Sequence, residues 1–499
     1  MRNSSRQLKW WLILALFSLL LAACSAAVAN DANQADEAFE ELSPTPSEDA
    51  ASPTDPGSEN DSSDNSEVDS ELDVQPTGDD EEAASETQAD PDGQPDSLDN
   101  NESENDVSDE PDSEGETSTD EEQEAEATAN SGSDGDILTI DDRTDLLLQV
   151  TSEWETDFNR HTVPYEEIVP ILFRDAIRSL DQPTFVSAEE ADDWLPGSDP
   201  VIAVELEGDS RAYPLRIMAS HEIVNDRFGD LPVVITYCPL CNSALVFNSS
   251  FDGKALQFGT TGLLRKSDLI MYDRSSETLW QQFTGEGIVG KYAGERLEFL
   301  PSSIVSFDDY RSAFPEGQVL SQDTGFGFGY DLSSYEAYDQ IGADPYLFIQ
   351  FDGEVQDIEI DRRLPAMERV VSLSLDGSDV AYPVSLLSEV GVVNDTQSGV
   401  DLAVFHTFGT TSAFYNPFSQ RFDDVGATGV FDPTVDGEKL TFSKEGDSIV
   451  DDQTGSTWNI LGQAVDGPLS GQQLESIVHG DHFWFSWAAF KPDTLIYEG

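Results

Sequence analysis

The chain has 499 residues, and its 100 Asp and Glu against 24 Lys and Arg give a formal net charge of −76 at pH 7. A surface with so much negative charge repels phosphate groups, which excludes nucleic acid and disfavours anionic lipid headgroups as partners. About 360 residues follow the acidic N-terminal region and exceed the usual size of one domain, so two packed units are expected.

The N-terminus predicts a lipoprotein export signal. Three basic side chains precede an apolar segment, residues 10–23, that is too short to cross a bilayer comfortably. Small residues then precede Cys24, as a prokaryotic lipoprotein peptidase requires once a diacylglycerol is attached to the sulfur. We therefore expect residues 1–23 to be a signal peptide and the acylated Cys24 to anchor the protein on the extracytoplasmic face of the cell membrane. The alternative is an ordinary secretory signal with an incidental cysteine.

Residues 24–136 are predicted to form a disordered acidic linker. Residues 31–136 contain 39 Asp and Glu and no Lys or Arg, among many Ser, Pro, Gly, Asn and Thr. Such a segment buries too little apolar surface to offset its ordering entropy, and its charges repel one another. We expect it to be a spacer, with metal buffering by its carboxylates as the alternative. The remaining residues 137–499 hold 61 acidic and 21 basic side chains, a formal net charge of about −40.

An internal repeat follows an N-terminal segment, residues 137–198, for which we predict a helix near Tyr165–Leu180. The tripeptides AYP (from Ala212) and VND (from Val224) recur at a constant offset of 169 residues. Three further blocks match in the same order, and five matched blocks indicate a duplicated unit. The expected fold is α+β and β-rich, with two diverged tandem repeats packed into one globular body.

The two repeats are called here the first unit (residues 199–317) and the second unit (residues 368–499). Each begins with an alternating strand, VIAVELEG or VVSLSLDG, followed by AYP, a short helix, an apolar strand and an Asp-Gly turn. A helical segment closes each unit and carries Trp487 and Phe490 in the second. Residues 318–367 form a Gly-rich and aromatic loop between the units, expected to be either functional or a lid over their seam.

Only the first unit carries a cysteine pair, in Cys238-Pro-Leu-Cys241 after its apolar strand. Residues that the fold needs should persist in both units, whereas a site can survive in one alone. The first unit also has six additional residues between Phe258 and Asp273, and it has His221 where the second unit has a valine. These features occur in the first unit and not in the second.

A C-x-x-C pair in an exported chain forms a small disulfide, shuttles electrons as a dithiol, or supplies two thiolates to a metal site. Proline follows the first cysteine and a strand follows the second, which favours a strand–turn–strand knuckle over a helix N-terminus. Because Cys24 carries lipid, any further ligands must be histidines or carboxylates. The preferred ligands are His221 and then His406, with Asp226 as a lesser candidate, although a single histidine is more often a structural residue. Copper and zinc both suit this donor set.

Three functions are compatible with these residues. The first is a lipoprotein that holds copper or zinc through Cys238, Cys241, His221 and His406. The second is a redox enzyme, in which Cys238 attacks a disulfide or an electrophile and Cys241 resolves the adduct. The third is a structural or adhesive surface protein. No G-x-S-x-G, H-E-x-x-H or P-loop motif supports a hydrolase, and whether the protein is an enzyme stays open.

The sequence resembles the domain of unknown function 3179 family, which is found in exported bacterial and archaeal proteins. The likeness covers about residues 150–499 and rests on DFNRHTVPYEEI, AYPLRIMASHEIVND, TYCPLCNSALVF, SDLIMYDRSSETLWQQ and HGDHFWFSWAAFKPDT. Arg265 and Lys266 depart from the more usual Tyr-Asn before Ser267-Asp268, which puts a polar role of those two positions in doubt. The resemblance supports the domain limits and the Cys and His set, and it implies no reaction.

Overall fold

Short strands dominate the fold, and a few helices of one or two turns lie between them. The computed structural model describes residues 145–327, 329–331, 335–342, 345, 360–375, 377–414 and 423–499. The predicted signal peptide, Cys24 and the acidic linker lie outside these residues. The prediction of a β-rich protein with few helices is confirmed.

The helices are α1 (Asp145–Val150), α2 (Ala188–Ala191), α3 (Leu215–His221), α4 (Phe307–Ala313), α5 (Val384–Val390) and α6 (Trp484–Phe490). The strands up to the end of the first unit's sheets are β1 (Ile168–Pro170), β2 (Phe185–Ser187), β3 (Pro200–Leu206), β4 (Asp209–Pro214), β5 (Ile223–Phe228), β6 (Leu231–Cys238), β7 (Ser243–Asn248), β8 (Ser250–Phe251), β9 (Lys254–Ala255), β10 (Phe258–Arg265), β11 (Asp268–Asp273), β12 (Leu279–Gln281), β13 (Glu286–Val289), β14 (Glu298–Leu300), β15 (Ser303–Ser306) and β16 (Gln318–Leu320). The strands of the second unit are β17 (Arg369–Leu375), β18 (Ser378–Pro383), β19 (Val392–Gln397), β20 (Val400–Thr407), β21 (Ala427–Asp432), β22 (Thr434–Val435), β23 (Glu438–Lys439), β24 (Phe442–Glu445), β25 (Ser448–Asp451), β26 (Thr457–Trp458), β27 (Ala464–Asp466), β28 (Glu475–Ser476), β29 (Gly480–Phe483) and β30 (Leu495–Ile496).

The strand order of each sheet in the first unit recurs in the second. The order β15-β3-β4-β16 corresponds to β29-β17-β18-β30, and β14-β7-β6-β5 corresponds to β28-β21-β20-β19. The order β10-β11-β12-β13 corresponds to β24-β25-β26-β27. Strands β1 and β2 of the N-terminal segment extend two of the first unit's sheets, by pairing with β10 and β16.

The predicted strands and turns are present where the sequence places them. The two alternating segments form β3 and β17, and the apolar segments form β6 and β20. Asp252-Gly253 forms the turn of the β8–β9 hairpin, and Asp436-Gly437 forms the turn of the β22–β23 hairpin. All four residues have positive φ angles. Such a turn matches the right-handed twist of its strands, which is why Asp-Gly predicts it.

The repeated VND motif makes the same side-chain contacts in both units. Asn225 donates from Nδ2 to the carbonyl oxygen of Phe258 and accepts from its N–H, both at 2.8 Å. Asn394 makes the same two hydrogen bonds with Phe442, also at 2.8 Å. Each asparagine therefore joins the edge of one sheet to the next, which explains why the fold needs it in both units.

The repeated tyrosine and tryptophan positions also have structural partners. The hydroxyl of Tyr382 donates to Asp395, as the hydroxyl of its counterpart in the first unit does to Asp226. The indole N–H of Trp458 donates to Asp451 at 3.1 Å, and the same contact, at the same distance, exists in the first unit. Satisfied buried polar groups of this kind specify packing without requiring a ligand.

The two units contact each other reciprocally. Strand β15 of the first unit lies against β21 of the second, and β29 of the second lies against β7 of the first. Val201 and Phe307 share one buried apolar cluster with Phe405 and Phe431. This interface places the end of β7, and with it the cysteine turn, against the second unit.

The predicted helix at Tyr165–Leu180 is wrong. The structure has a 3-10 turn at Tyr165–Glu167, then strand β1, which pairs with β10 through Ile168 to Pro170. Proline cannot donate a hydrogen bond inside a helix, and Ile and Val favour a strand. Pairing with β10 therefore determines the extended conformation of residues 168–170, because their apolar spacing alone is compatible with either a helix or a strand.

We expect Asn225→Ala to lower the free energy of unfolding by about 1–3 kcal/mol, because it leaves the backbone N–H and C=O of Phe258 without partners in a buried position. Asn394→Ala should have a smaller effect, because Asn394 is exposed and water replaces its two partly buried hydrogen bonds to Phe442. Urea denaturation followed by tryptophan fluorescence measures this effect. The exposed Asn159→Ala is the control and should change the free energy of unfolding by less than about 0.5 kcal/mol. A loss in Asn394→Ala as large as that in Asn225→Ala would contradict the dependence on burial.

Candidate metal centre

The two cysteines lie on the turn that joins β6 to β7. Cys238 is the last residue of β6 and pairs with Ser243, the first residue of β7. The N–H of Cys241 donates to the carbonyl oxygen of Cys238 at 3.2 Å, and Asn242 has a positive φ of 51° that closes the turn. The predicted strand–turn–strand knuckle is therefore confirmed. In the second unit the equivalent strands are joined by residues 408–426 and carry no thiol.

A carboxylate from a neighbouring hairpin completes a cluster with the thiols. Ligand atoms of Cys238, Cys241 and Asp268 all lie within 4.8 Å of one another, and all three side chains are buried. Asp268 begins β11, directly after a two-residue turn in which Lys266 and Ser267 have positive φ angles of 52° and 66°. The β10–β11 hairpin is longer than its counterpart β24–β25, and this extension carries the carboxylate to the thiols.

Only one oxygen of the Asp268 carboxylate has backbone or amide hydrogen-bond donors, and the two thiols are the other polar groups beside the carboxylate. Its Oδ2 accepts from the side-chain amide of Gln281 at 2.6 Å and from the N–H of Phe283 at 2.9 Å. Its Oδ1 is buried and has no backbone or amide donor in the described part of the protein. An orphaned buried oxygen is costly, and it marks a position where a ligand would restore the missing interaction.

Burial keeps the protons on the acidic groups of the cluster. Desolvation raises the pKa of Asp268 to about 7, although the hydrogen bonds from Gln281 and Phe283 oppose this shift. Desolvation also raises the pKa of both the Cys238 and the Cys241 thiol. In the metal-free protein the thiols are therefore neutral at pH 7, and they are poor nucleophiles.

A second carboxyl group lies beside the cluster. Glu222 follows α3, and its carbonyl oxygen accepts from the N–H of Tyr237 at 2.8 Å, next to Cys238 in the chain. Its side chain is buried, and desolvation followed by the charge of Asp268 raises the pKa of Glu222 to about 8. Across the described ranges, neither Glu222 nor Asp268 forms a salt bridge with Lys or Arg.

The structure does not place the predicted histidine ligands with the thiols. His221 is buried, with Nδ1 2.7 Å from the carbonyl oxygen of Arg178 and Nε2 2.7 Å from the hydroxyl of Tyr330, so both nitrogens have structural partners. His406 is buried on β20 beside Phe408 and belongs to no cluster of three potential ligands among the described residues.

The lesser candidate Asp226 is also occupied by structural contacts. Its carboxylate accepts hydrogen bonds from Arg211 and Tyr213 and from the N–H of Arg227. It therefore has the same role as its counterpart in the second unit, which lacks cysteines.

The second unit holds the cysteine turn in place. The carbonyl oxygen of Cys241 accepts from the N–H of Phe483 at 3.0 Å and from the hydroxyl of Ser486 at 3.3 Å. The side-chain amide of Asn242 donates to the carbonyl oxygen of Asp481 at 3.2 Å. Strand β29 and helix α6 thus fix the backbone of the turn from outside its own unit.

Part of the inter-unit loop covers the same turn. The hydroxyl of Tyr338 donates to the carbonyl oxygen of Leu240 at 3.0 Å. The neighbouring Asp339 forms an ion pair with Arg369 at 2.9 Å and accepts a hydrogen bond from Ser412. These contacts attach the loop to the second unit and shelter the thiols from water.

Sequence reasoning missed Asp268 and Glu222, although both had a signal. Asp268 lies within the six additional residues that only the first unit has, in the SDLIMYD motif. Glu222 stands where the second unit has Gly391. Both carboxylates therefore occur at positions where the first unit differs from the second, as His221 does.

The fold and the site define a β-rich protein with a buried dithiol–carboxylate cluster at the interface of two units. Residues 174–494 match the family model described as "Protein of unknown function (DUF3179)". The match covers more than half of the chain, so the chain belongs to this family, as its motifs indicated. No curated protein and no solved structure matches the chain.

The raised pKa of Asp268 predicts a pH-dependent stability of the metal-free protein. Because the folded pKa, about 7, lies above the unfolded one, near 3.8, the folded state binds the proton more tightly. Stability from this group is therefore fully present below pH 4 and is lost as pH rises to about 7. Buried histidines act in the opposite direction, so the measurement is the difference between wild type and Asp268→Asn in urea denaturation with chelator. A constant difference from pH 4 to 8 would contradict the prediction.

Proposed function

We propose that this protein binds a soft or borderline metal ion, zinc or copper, through Cys238, Cys241 and Asp268. The observation that carries the proposal is a buried group of two thiols and one carboxylate whose ligand atoms all lie within 4.8 Å of one another, in which the Oδ1 of Asp268 has no backbone or amide donor among the described residues. Two thiolates and a carboxylate are donors that zinc accepts in proteins. The proposal keeps the predicted thiols and replaces the predicted histidines by a carboxylate.

Electrostatics support a cation at this position. The cluster contains three acidic groups whose pKa values burial raises, and within the described residues none of them has a basic side chain as a partner. A divalent cation would take the place of the protons and supply the missing positive charge. Metal binding should therefore release protons and stabilise the folded state.

The neighbouring thiols also support a second candidate, a dithiol that is oxidised to a disulfide. The close approach of the two sulfur atoms favours it. Their burial and their raised pKa values count against it, because thiol–disulfide exchange needs an accessible thiolate. The two candidates differ in what the purified protein contains, which is bound metal or a redox-active disulfide.

We further propose that the two units arose by duplication of one ancestral unit. Five sequence blocks recur in order, and so do the strand orders of three sheets. The hydrogen bonds of Asn225 and Asn394 are also the same. One copy then acquired the cysteine pair and the longer β10–β11 hairpin, while the other kept the shared structural contacts.

We also propose that the protein is a lipoprotein held at the extracytoplasmic face of the membrane by Cys24 and separated from it by the acidic linker. The basic, apolar and small residues before Cys24 support this proposal. Within the described residues, no helix has the length and apolar character needed to cross a bilayer.

The metal proposal predicts about one zinc or copper ion per chain in protein purified without a chelating tag. We expect Cys238→Ser and Asp268→Asn each to lose most of this metal, since each removes one donor. His406→Gln is the matched control and should retain it. Elemental analysis combined with a free-thiol titration measures both candidates.

Either of two results would contradict the metal proposal. One is wild-type protein that is free of metal and takes up no added Zn²⁺. The other is a loss of metal in His406→Gln as large as in Cys238→Ser. A metal-free protein whose two thiols oxidise reversibly to a disulfide would favour the redox candidate instead.

The anchor proposal predicts that Cys24→Ser moves the full-length chain from the membrane fraction to the soluble fraction of a bacterium that processes lipoproteins. Cell fractionation and mass spectrometry of the N-terminus measure this change. Cys238→Ser is the control and should stay in the membrane fraction. Equal membrane association of wild type and Cys24→Ser would rule out the lipid anchor.

A further inference from the structure

We propose that Glu222 is a functional residue of the thiol–carboxylate cluster and that, together with Asp268, it selects a divalent cation such as Zn²⁺ over monovalent copper. This inference rests on the proposed metal-binding function and specifies the ion. It assigns a role to a residue that the sequence analysis did not propose as a ligand.

Glu222 has a backbone conformation that costs free energy for any residue with a Cβ atom. It ends helix α3 with a φ of 59°, in the left-handed region. The second unit has Gly391 at the same place, with a φ of 76°. Glycine is the usual residue at this position after a helix, because it adopts the conformation without strain. The first unit thus departs from the residue that its own fold prefers.

The fold does not use the Glu222 side chain. At the end of helix α3 the N–H of Glu222 donates to the carbonyl oxygen of Met218 at 2.7 Å. The N–H of Gly391 makes the same hydrogen bond to the carbonyl oxygen of Leu387, also at 2.7 Å. This contact involves only the backbone, so glycine serves it equally well. Within the residues that the structure describes, the Glu222 carboxyl makes no hydrogen bond and no salt bridge. A strained, buried and unpaired carboxyl is retained for function when nothing structural requires it.

The position of Glu222 points to the thiols. Its backbone is hydrogen-bonded to Tyr237, the residue before Cys238, and its carboxyl group interacts electrostatically with both Cys238 and Asp268. The Glu222 carboxyl group therefore lies near the buried group of Cys238, Cys241 and Asp268, but outside the set of ligand atoms that are all within 4.8 Å of one another. The Oδ1 of Asp268, which has no backbone or amide donor among the described residues, belongs to that group.

The donor types and the charge determine which ion fits. Monovalent copper prefers thiolate, thioether and imidazole ligands, whereas zinc also accepts carboxylate oxygen. Two thiolates already carry more negative charge than a monovalent ion can neutralise, and the two carboxylates add to this excess. A divalent ion compensates the charge better, so each carboxylate should contribute more to the affinity for Zn²⁺ than to the affinity for Cu⁺.

The experiment compares Glu222→Gly, Glu222→Gln and wild type, each purified metal-free. We expect both variants to bind Zn²⁺ at least about tenfold more weakly in a competition with a chromophoric chelator. Their affinity for Cu⁺ should change by a smaller factor. Glu222→Gly should also raise the Tm of the metal-free protein by about 2 °C or more, because it restores the residue that the second unit uses. A residue with a purely structural role would lower Tm when it is replaced.

Glu207→Gly is the matched control. Glu207 also has a positive φ, 55°, but it lies exposed on the β3–β4 turn. The same change there relieves the same type of strain and should leave the affinity for Zn²⁺ unchanged. If Glu222→Gly disturbs folding, Glu222→Gln tests the ion preference alone.

The possible failures are distinguishable. Wild type that binds no Zn²⁺ would overturn both the metal function and the role of Glu222. Wild type that binds Zn²⁺ as tightly as both Glu222 variants would overturn the role of Glu222 and leave the metal function intact. Equal losses of Zn²⁺ and Cu⁺ affinity would overturn the selection of a divalent ion.

Discussion

The arrangement of the site depends on one hydrogen bond, which the N–H of Phe483 donates to the carbonyl oxygen of Cys241. It joins the four-residue cysteine turn of the first unit to strand β29 of the second. Both cysteines also belong to a buried apolar cluster of the first unit. The hydroxyl of Ser486 and the amide of Asn242 reinforce the same junction. The first unit therefore supplies the thiols and the carboxylate, and the second unit fixes the backbone of the turn that carries the thiols.

Contacts that occur in both units and features that occur in only one unit have different roles in the structure. Contacts that occur in both, such as the asparagine bridges and the indole-to-aspartate hydrogen bonds, maintain the shared architecture. Features that occur in one unit gather around the thiols: the short cysteine turn, the extended hairpin that carries Asp268, and Glu222 in place of glycine. Each of these has a cost, because it buries an acidic group or strains the backbone. All three features lie in one region of the first unit, and this is the region for which we propose a metal site.

The sequence predicted the parts of the fold that follow from local chemistry. Alternating apolar residues identified β3 and β17, and Asp-Gly pairs identified two hairpin turns, since both signals act over a few residues. The predicted helix after Tyr165 was wrong because pairing with β10 outweighed local propensity. The cysteines were found by their spacing, whereas Asp268 approaches them only through the register of β10 with β11. Such long-range placement is absent from any local pattern, and only the comparison of the two units could have indicated it.

The docking of the cysteine turn on α6 also determines when the site can exist. Ser486 is separated from Cys241 by 245 positions, so the turn acquires its final geometry only after most of the second unit has been synthesised and folded. Contacts of such large sequence separation form slowly and late. The two thiols and the Asp268 carboxylate all belong to the first unit, so the second unit acts on the site through the hydrogen bonds that it makes to the backbone of the turn. Folding of the second unit is therefore a condition for the final shape of the cysteine turn.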